Sequence, residues 1–122
     1  MTWHAGACHC GAVQFRVRIE RYEAIDCNCS ICAKKGILHL IVSQDDFEWV
    51  AGHESMTTYT FGTHTAKHHF CAVCGMHPFY VPRSHPDGID VNVRALDDVP
   101  LSAFTITLFD GANWEDNVAS IR

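Results

Sequence analysis

Seven cysteines in three tight groups constrain this chain more than any other feature. They stand in Cys8-His9-Cys10, Cys27-Asn28-Cys29-Ser30-Ile31-Cys32 and Cys71-Ala72-Val73-Cys74. An odd number cannot form a complete set of disulfides, and a bridge between cysteines two positions apart would close a strained ring. Cysteines this close in sequence are typical of metal ligands, so the spacing predicts metal binding. Thiolate sulfur favours zinc, copper(I) or iron–sulfur clusters.

The seven thiols divide most simply into a set of four and a set of three. The segments 8–11 and 71–75 both end in Cys-Gly, the form of a zinc knuckle in which glycine lets backbone amides turn toward sulfur. We therefore predict one closed structural zinc site formed by Cys8, Cys10, Cys71 and Cys74. Because this site joins distant segments, the energy of metal binding there is also folding energy.

The remaining set consists of Cys27, Cys29 and Cys32, all in one short segment. Three thiolates leave the fourth position of a zinc ion open to water or a substrate thiol, which is typical of a catalytic site. One of the nine histidines could instead fill this position, and a redox or metal-sensing cluster is a further alternative. His39 interrupts an apolar segment, so it is either a hydrogen-bonded core histidine or a group beside the open position.

Composition indicates the class of protein that carries these ligands. The chain has 122 residues, 48% of them hydrophobic, which suits one globular domain spanning 1–122. Its formal net charge of −5 argues against nucleic acid as a partner. No apolar stretch is long enough for a membrane span and no targeting segment is visible, so we expect a cytoplasmic protein with reduced thiols and no membrane partner.

Short hydrophobic segments predict a mainly β domain. Alternate positions from Val13 to Ile19 are apolar, which is the period of a strand with one buried face. Further strands are expected at 37–42, 47–50, 56–61, 64–70, 79–81, 89–96 and 104–109, and short connections favour antiparallel pairing. The turn of a hairpin is expected at Gly62-Thr63. Short helices are expected over 30–35, with Ser30 as the N-cap, and over 114–120.

The cysteine motifs resemble those of the glutathione-dependent formaldehyde-activating enzyme family, and within it the centromere protein V branch. The resemblance rests on Cys8-His9-Cys10-Gly11-Ala12-Val13-Gln14-Phe15, Asp26-Cys27-Asn28-Cys29-Ser30-Ile31-Cys32 and Phe70-Cys71-Ala72-Val73-Cys74-Gly75. Thr58-Tyr59-Thr60-Phe61 and Phe79-Tyr80-Val81-Pro82-Arg83-Ser84 support it. The resemblance covers about residue 4 to Trp114 and implies an Mss4-like zinc-binding fold of short antiparallel strands. It also implies a structural zinc on the four-cysteine set and a second zinc on the three-cysteine set.

The activity that the resemblance implies is the reversible joining of glutathione and formaldehyde as S-hydroxymethylglutathione. We therefore predict a zinc-dependent carbon–sulfur lyase-like enzyme with two zinc ions per chain and a small thiol substrate, possibly glutathione. Cys27, Cys29 and Cys32 would form its open site, and His39 or His69 would transfer the proton of the adduct's oxygen. The alternatives are a non-catalytic zinc-stabilised protein-binding module and a zinc or redox sensor.

Overall fold

The computed structural model describes residues 1–121, which form ten short strands and two short helices. The strands are β1 Thr2–Ala7, β2 Gln14–Ile19, β3 Glu23–Cys27, β4 Leu38–Ser43, β5 Phe47–Ala51, β6 Met56–Tyr59, β7 His68–Cys71, β8 Phe79–Tyr80, β9 Gly88–Asn92 and β10 Thr105–Phe109. The helices are α1 Ser30–Lys35 and α2 Trp114–Asn117. The predicted mainly β class is confirmed. In the described residues no helix is long and apolar enough to cross a membrane.

Three of the strands, in the order β1-β2-β5, form an antiparallel sheet. Its central strand, β2, has the predicted alternation, and Phe15, Val17 and Ile19 are at most 2% exposed. These side chains pack into the main hydrophobic core together with Phe79 of β8 and Val91 of β9. The period-two pattern therefore found the buried face of this strand correctly.

A five-stranded sheet in the order β10-β3-β4-β9-β8 positions the three-cysteine segment. Its pairs are antiparallel except for β10 and β3, which run parallel with Phe109 opposite Cys27. The expectation of antiparallel pairing is thus wrong for this one pair. Parallel pairing requires a long connection, and here residues 28–104 lie between the two strands. It brings the C-terminal segment against the Cys27 loop.

The predicted hairpin exists, but its strands are shorter than expected. β6 pairs with β7 from Met56 opposite Cys71 to Tyr59 opposite His68, so 60–67 form a wide loop. The turn lies at the predicted glycine, because the amide of His64 donates to the Phe61 carbonyl at 3.0 Å and Gly62 has φ of 59°. The strand expected over 89–96 ends at Asn92, whose side chain accepts a hydrogen bond from the Arg94 amide and starts a 3₁₀ turn.

Two separate hydrophobic clusters result from this arrangement. The main core contains Cys8 and Cys71 of the four-cysteine set, buried to 4% and 0% exposure. A smaller cluster contains Cys27, Cys32 and Phe109, with half-buried side chains packed around them, namely Ile25, Cys29, Ile31, Trp114 and Ile121. The two sets of cysteines therefore belong to different parts of the hydrophobic interior.

Candidate metal clusters and the adjoining cavity

The structure gathers Cys8, Cys10, Cys71 and Cys74 so that their sulfur atoms all lie within 4.8 Å of one another. The sulfur of Cys10 is 3.6 Å from that of Cys8 and 3.7 Å from that of Cys71. The connection between β1 and β2 supplies the first pair, and the end of β7 with the following turn supplies the second. This cluster can hold a metal ion, and it joins two segments that are far apart in sequence.

Backbone turns present amides to this cluster. The Val13 amide donates to the Cys8 sulfur at 3.3 Å, and Gly11 and Gly75 have φ of 81° and 78°, which favours glycine. Hydrogen bonds from the backbone of Cys10 and Met76 lower the pKa of Cys74 to about 6. Amides that donate to sulfur stabilise the thiolate form, which is the form that binds metals.

The sulfur atoms of Cys27, Cys29 and Cys32 also lie within 4.8 Å of one another. Cys27 ends β3, and Cys32 lies in α1. The N-cap of α1 is Cys29, whose sulfur accepts a hydrogen bond from the Cys32 amide at 3.4 Å, so the expectation that Ser30 caps the helix is wrong. Within residues 1–121, no histidine or carboxylate atom lies within 4.8 Å of all three sulfurs. The three-cysteine cluster thus has one side without a further side-chain ligand.

Charge in this cluster concentrates on one sulfur. Hydrogen bonds from the thiols of Cys27 and Cys32 lower the pKa of Cys29 to about 2. Hydrogen bonds with the Cys27 and Cys29 sulfurs, together with burial, raise the pKa of Cys32. A cation would be needed for all three sulfurs to be thiolates at once.

The C-terminal segment holds the three-cysteine loop in place. The Asn28 side chain donates to the Asp110 carboxylate at 3.0 Å and accepts from the Ala112 amide at 2.8 Å. Gly111 is buried directly against the cluster, and a Cβ built there would lie 2.3 Å from the Cys27 sulfur. Sequence analysis missed the contribution of Asn28 and Gly111, because Asp110-Gly111 carried only the signal of a turn.

A cavity of about 600 Å³ adjoins the three cysteines. Its walls come from β3, α1, β4, the 60–67 loop, β8 and the C-terminal segment. His39 and His68 both line it. The three-cysteine cluster therefore faces a space large enough for a small organic molecule, whereas the four-cysteine cluster does not line this cavity.

His39 is the titratable group most firmly oriented at this cavity. Its Nδ1 atom is 2.9 Å from the Asp90 carboxylate and 3.3 Å from the Tyr80 hydroxyl. Its Nε2 atom is buried and has no hydrogen-bond partner in the described residues. Burial disfavours the charged imidazole, but the adjacent Asp90 carboxylate outweighs it and raises the pKa of His39. Both expectations for His39 therefore describe it in part: it is a bonded core histidine, and it lines the cavity.

His69, the other candidate for proton transfer, and two further polar side chains are held by neighbours outside the cysteine clusters. His69 is hydrogen-bonded to the Thr58 hydroxyl at 2.8 Å and does not line the cavity. His77 contacts Lys35, and burial lowers the pKa of His77 to about 4. Arg83 lines the cavity, but its guanidinium donates to the Glu115 carboxylate at 2.8 Å.

Comparison with known proteins identifies the family. Residues 3–109 match the protein family described as glutathione-dependent formaldehyde-activating enzyme. A crystal structure of a Rhodobacter sphaeroides protein is similar over 84% of this chain and 99% of that chain, with 38% sequence identity and a TM-score of 0.75. Fold and site define a small β protein with two cysteine clusters, each able to hold a metal ion. The chain belongs to the glutathione-dependent formaldehyde-activating enzyme family, as its motifs predict.

Proposed function

We propose that this protein is a zinc-dependent carbon–sulfur lyase that forms and cleaves thiol–aldehyde adducts of the S-hydroxymethyl type. The observation that carries the proposal is the three-cysteine cluster, which has no fourth side-chain ligand among residues 1–121 and lines a cavity of about 600 Å³. An open coordination position next to a cavity is typical of catalytic rather than structural metal sites. Membership of the family supports the same chemistry.

The donor atoms suit zinc. Zinc–sulfur bonds near 2.3 Å place the sulfurs of a tetrahedral site about 3.8 Å apart. The sulfur separations of 3.6 and 3.7 Å around Cys10 are close to that value. We therefore assign a structural zinc to the four-cysteine cluster and a second zinc to Cys27, Cys29 and Cys32, giving two per chain. When bound at the second cluster, zinc would supply Lewis acidity that keeps a substrate thiol in its thiolate form.

The reaction balances with a single proton. In the forward direction the thiolate sulfur attacks the aldehyde carbon, the new carbon–sulfur bond forms as the carbonyl π bond breaks, and the oxygen accepts one proton to become a hydroxyl. Cleavage of the adduct is the exact reverse, in which the hydroxyl gives up that proton. A group that can both give and take a proton close to the sulfur is therefore required.

His39 meets this requirement better than His69, because it lines the cavity and His69 does not. The Asp90 carboxylate accepts a hydrogen bond at Nδ1 of His39, which leaves Nε2 to exchange the proton with the substrate oxygen. The raised pKa of His39 supports the charged form that donates during adduct formation. His39 and Asp90 are 4% and 2% exposed, which limits the access of bulk water to this pair.

The test is exchange of carbon-13 formaldehyde between its hydrate and its adducts with a panel of small thiols that includes glutathione, followed by NMR. We expect the zinc-loaded protein to accelerate exchange and Cys29→Ser to abolish the acceleration. His39→Gln should keep both metals and lose about 10²–10⁴-fold in rate. The matched control His69→Gln should retain the wild-type rate.

No acceleration with any thiol in the panel would refute the proposal. If, in addition, mild oxidant reversibly released the second metal, a redox or zinc sensor would be the better assignment for the three-cysteine cluster. Equal destabilisation of the fold by Cys29→Ser and Cys74→Ser would instead favour a zinc-stabilised binding module, because the second metal would then serve as a structural tie.

A further inference from the structure

The cavity beside the three cysteines has a largely apolar body. Its hydrophobic lining comes from the five-stranded sheet, the 60–67 loop and the C-terminal segment. This lining includes Ile25, Ile41, Phe61, Phe109, Trp114 and Ile121. Phe61 is 42% exposed and therefore has surface left to cover. A substrate with an apolar group of matching size would remove this surface from water on binding.

Charged partners for a substrate are few in the same cavity. Among its described lining residues, the acidic and basic side chains apart from histidine and cysteine are Asp90 and Arg83. Asp90 is 2% exposed and already hydrogen-bonded to His39. Arg83 donates to Glu115 at 2.8 Å, and its guanidinium carbon lies 3.7 Å from the centre of the Trp114 ring. Each side chain thus has a partner, and the second carboxylate oxygen of Asp90, Oδ1, is buried with no hydrogen-bond partner in the described residues.

The charged side chains of this cavity fit glutathione poorly. At neutral pH glutathione carries two carboxylates and one ammonium group, and a buried charge is costly unless it is paired. Arg83 is the one cation in the described lining besides the histidines, so the two carboxylates would have to share a guanidinium that already pairs with Glu115. A neutral ligand would need no such partner.

One wall of the cavity is built from stacked rings. Phe61 stacks on His68 with ring centres 5.5 Å apart at an angle of 19°, and His68 stacks on Tyr80 at 4.9 Å and 18°. All three residues line the cavity. His68 and Tyr80 are only 5% and 7% exposed, so Phe61, at 42%, is the member of this wall that offers ring surface to an incoming aromatic group.

We propose that the adduct handled at this site carries an apolar, preferentially aromatic, group that binds against the Phe61–His68–Tyr80 wall, in place of the charged peptide of glutathione. The inference rests on the proposed function and names the group that its adduct carries. The aromatic group can belong to the thiol, which gives an S-hydroxymethyl adduct, or to the aldehyde, which gives a substituted hemithioacetal formed by the same reaction.

Binding is measured by calorimetry on the zinc-loaded protein with benzyl mercaptan, glutathione and the thiol-free probe benzyl alcohol. We expect benzyl mercaptan to bind at least about tenfold more tightly than glutathione, which corresponds to burial of most of one ring. Its binding should show a negative heat-capacity change, the signature of apolar burial. Benzyl alcohol should bind weakly and compete with benzyl mercaptan.

Four variants locate the effect. Phe61→Ala should remove most of the preference for benzyl mercaptan, and Phe61→Leu should restore part of it. Leu108→Ala is the matched control, since Leu108 is 81% exposed and does not line the cavity. Arg83→Gln should leave the affinity for glutathione unchanged. A preference that survives in Phe61→Ala would overturn the inference.

Exchange measurements distinguish an aromatic group on the thiol from one on the aldehyde. In the pair of formaldehyde and benzyl mercaptan the aromatic ring is on the thiol, and in the pair of benzaldehyde and 2-mercaptoethanol it is on the aldehyde. Faster exchange with either pair than with formaldehyde and glutathione supports the inference. Tighter binding and faster exchange with glutathione, weakened by Arg83→Gln, would overturn it while leaving the lyase proposal intact. Phe61-dependent binding of benzyl mercaptan without exchange for any pair would refute the lyase proposal alone.

Discussion

Substitution of Gly111 tests whether the three-cysteine cluster depends on the C-terminal segment. In Gly111→Ala the new methyl carbon would lie 2.3 Å from the Cys27 sulfur and 3.1 Å from the Cys29 Cβ. Ordinary contact needs about 3.5–4 Å, so the sulfur and the turn would have to separate by more than 1 Å. Metal–ligand distances tolerate only about 0.2 Å, and a displaced Cys27 would no longer complete the cluster.

The size of the effect follows from what each part of the structure contributes. A displaced ligand at one of the three positions should lower the affinity of the three-cysteine cluster for its metal ion by at least about 10–100-fold. Overpacking costs about 1–3 kcal/mol of folding stability, which lowers Tm by several degrees in a domain of this size. The four-cysteine cluster should keep its metal, because Cys8, Cys71 and Cys74 lie in or against the main core and not in the small cluster around Phe109.

The assay is competition for zinc with a chromogenic chelator, combined with thermal unfolding. Gly111→Ala should release one zinc at a chelator concentration that leaves the wild-type protein fully loaded. Ala112→Ser is the matched control, because it changes an exposed neighbouring side chain and keeps the amide that donates to Asn28. Two equally tight zinc ions in Gly111→Ala would show that the contact with Cys27 relaxes without cost, and the reasoning would fail.

The remaining predictions concern the metals and pH. Freshly purified protein should contain about two zinc ions per chain by elemental analysis, and iron–sulfur absorbance would refute the zinc assignment. Cys74→Ser should be insoluble or unfolded, since one ligand carries several of the roughly 10–16 kcal/mol of a structural zinc, whereas Cys29→Ser should stay folded with one zinc in the same assay. In the folded protein the pKa of His77 is about 4, against 6.5 normally, so the neutral imidazole is favoured there. Its contribution to the free energy of unfolding is therefore present above pH 6.5 and is lost as the pH falls toward 4. The free energy of unfolding of the zinc-loaded protein is measured by chemical denaturation at pH 7.5 and 5.5. Between these two values it should fall by about 1 kcal/mol more in wild type than in His77→Gln, with solvent screening included. Equal decreases would count against this role of His77.

Local spacing was enough to divide the cysteines. Ligands for one metal tend to be close in sequence, because a short turn can hold two or three sulfurs around one ion. The short motifs at 8–10, 27–32 and 71–74 therefore predicted the same two groups of cysteines that the sulfur positions form in the structure. Alternation in β2 likewise revealed its buried face, since side chains on a strand alternate by simple geometry.

Strand ends were harder to predict. The hairpin turn expected at Gly62-Thr63 suggested a strand over 64–70, yet pairing starts only at His68, because Gly62 and His64 adopt positive φ in a wide loop. β1 and β3 escaped notice entirely, since their exposed residues weaken the alternation. Such errors arise where pairing with a distant strand, and not the local pattern, decides the conformation.

Amino-acid order alone thus determined the β class, the two groups of metal-type ligands and the family, because each depends on residues within a few positions of one another. The tertiary structure decided what surrounds them. Parallel pairing of β3 with β10 placed Gly111 against Cys27, and pairing of β4 with β9 placed Asp90 beside His39. These neighbours are far apart in sequence, and only burial of the sheets and their strand order brings them together. The cavity that gives the three-cysteine cluster a candidate substrate site exists for the same reason.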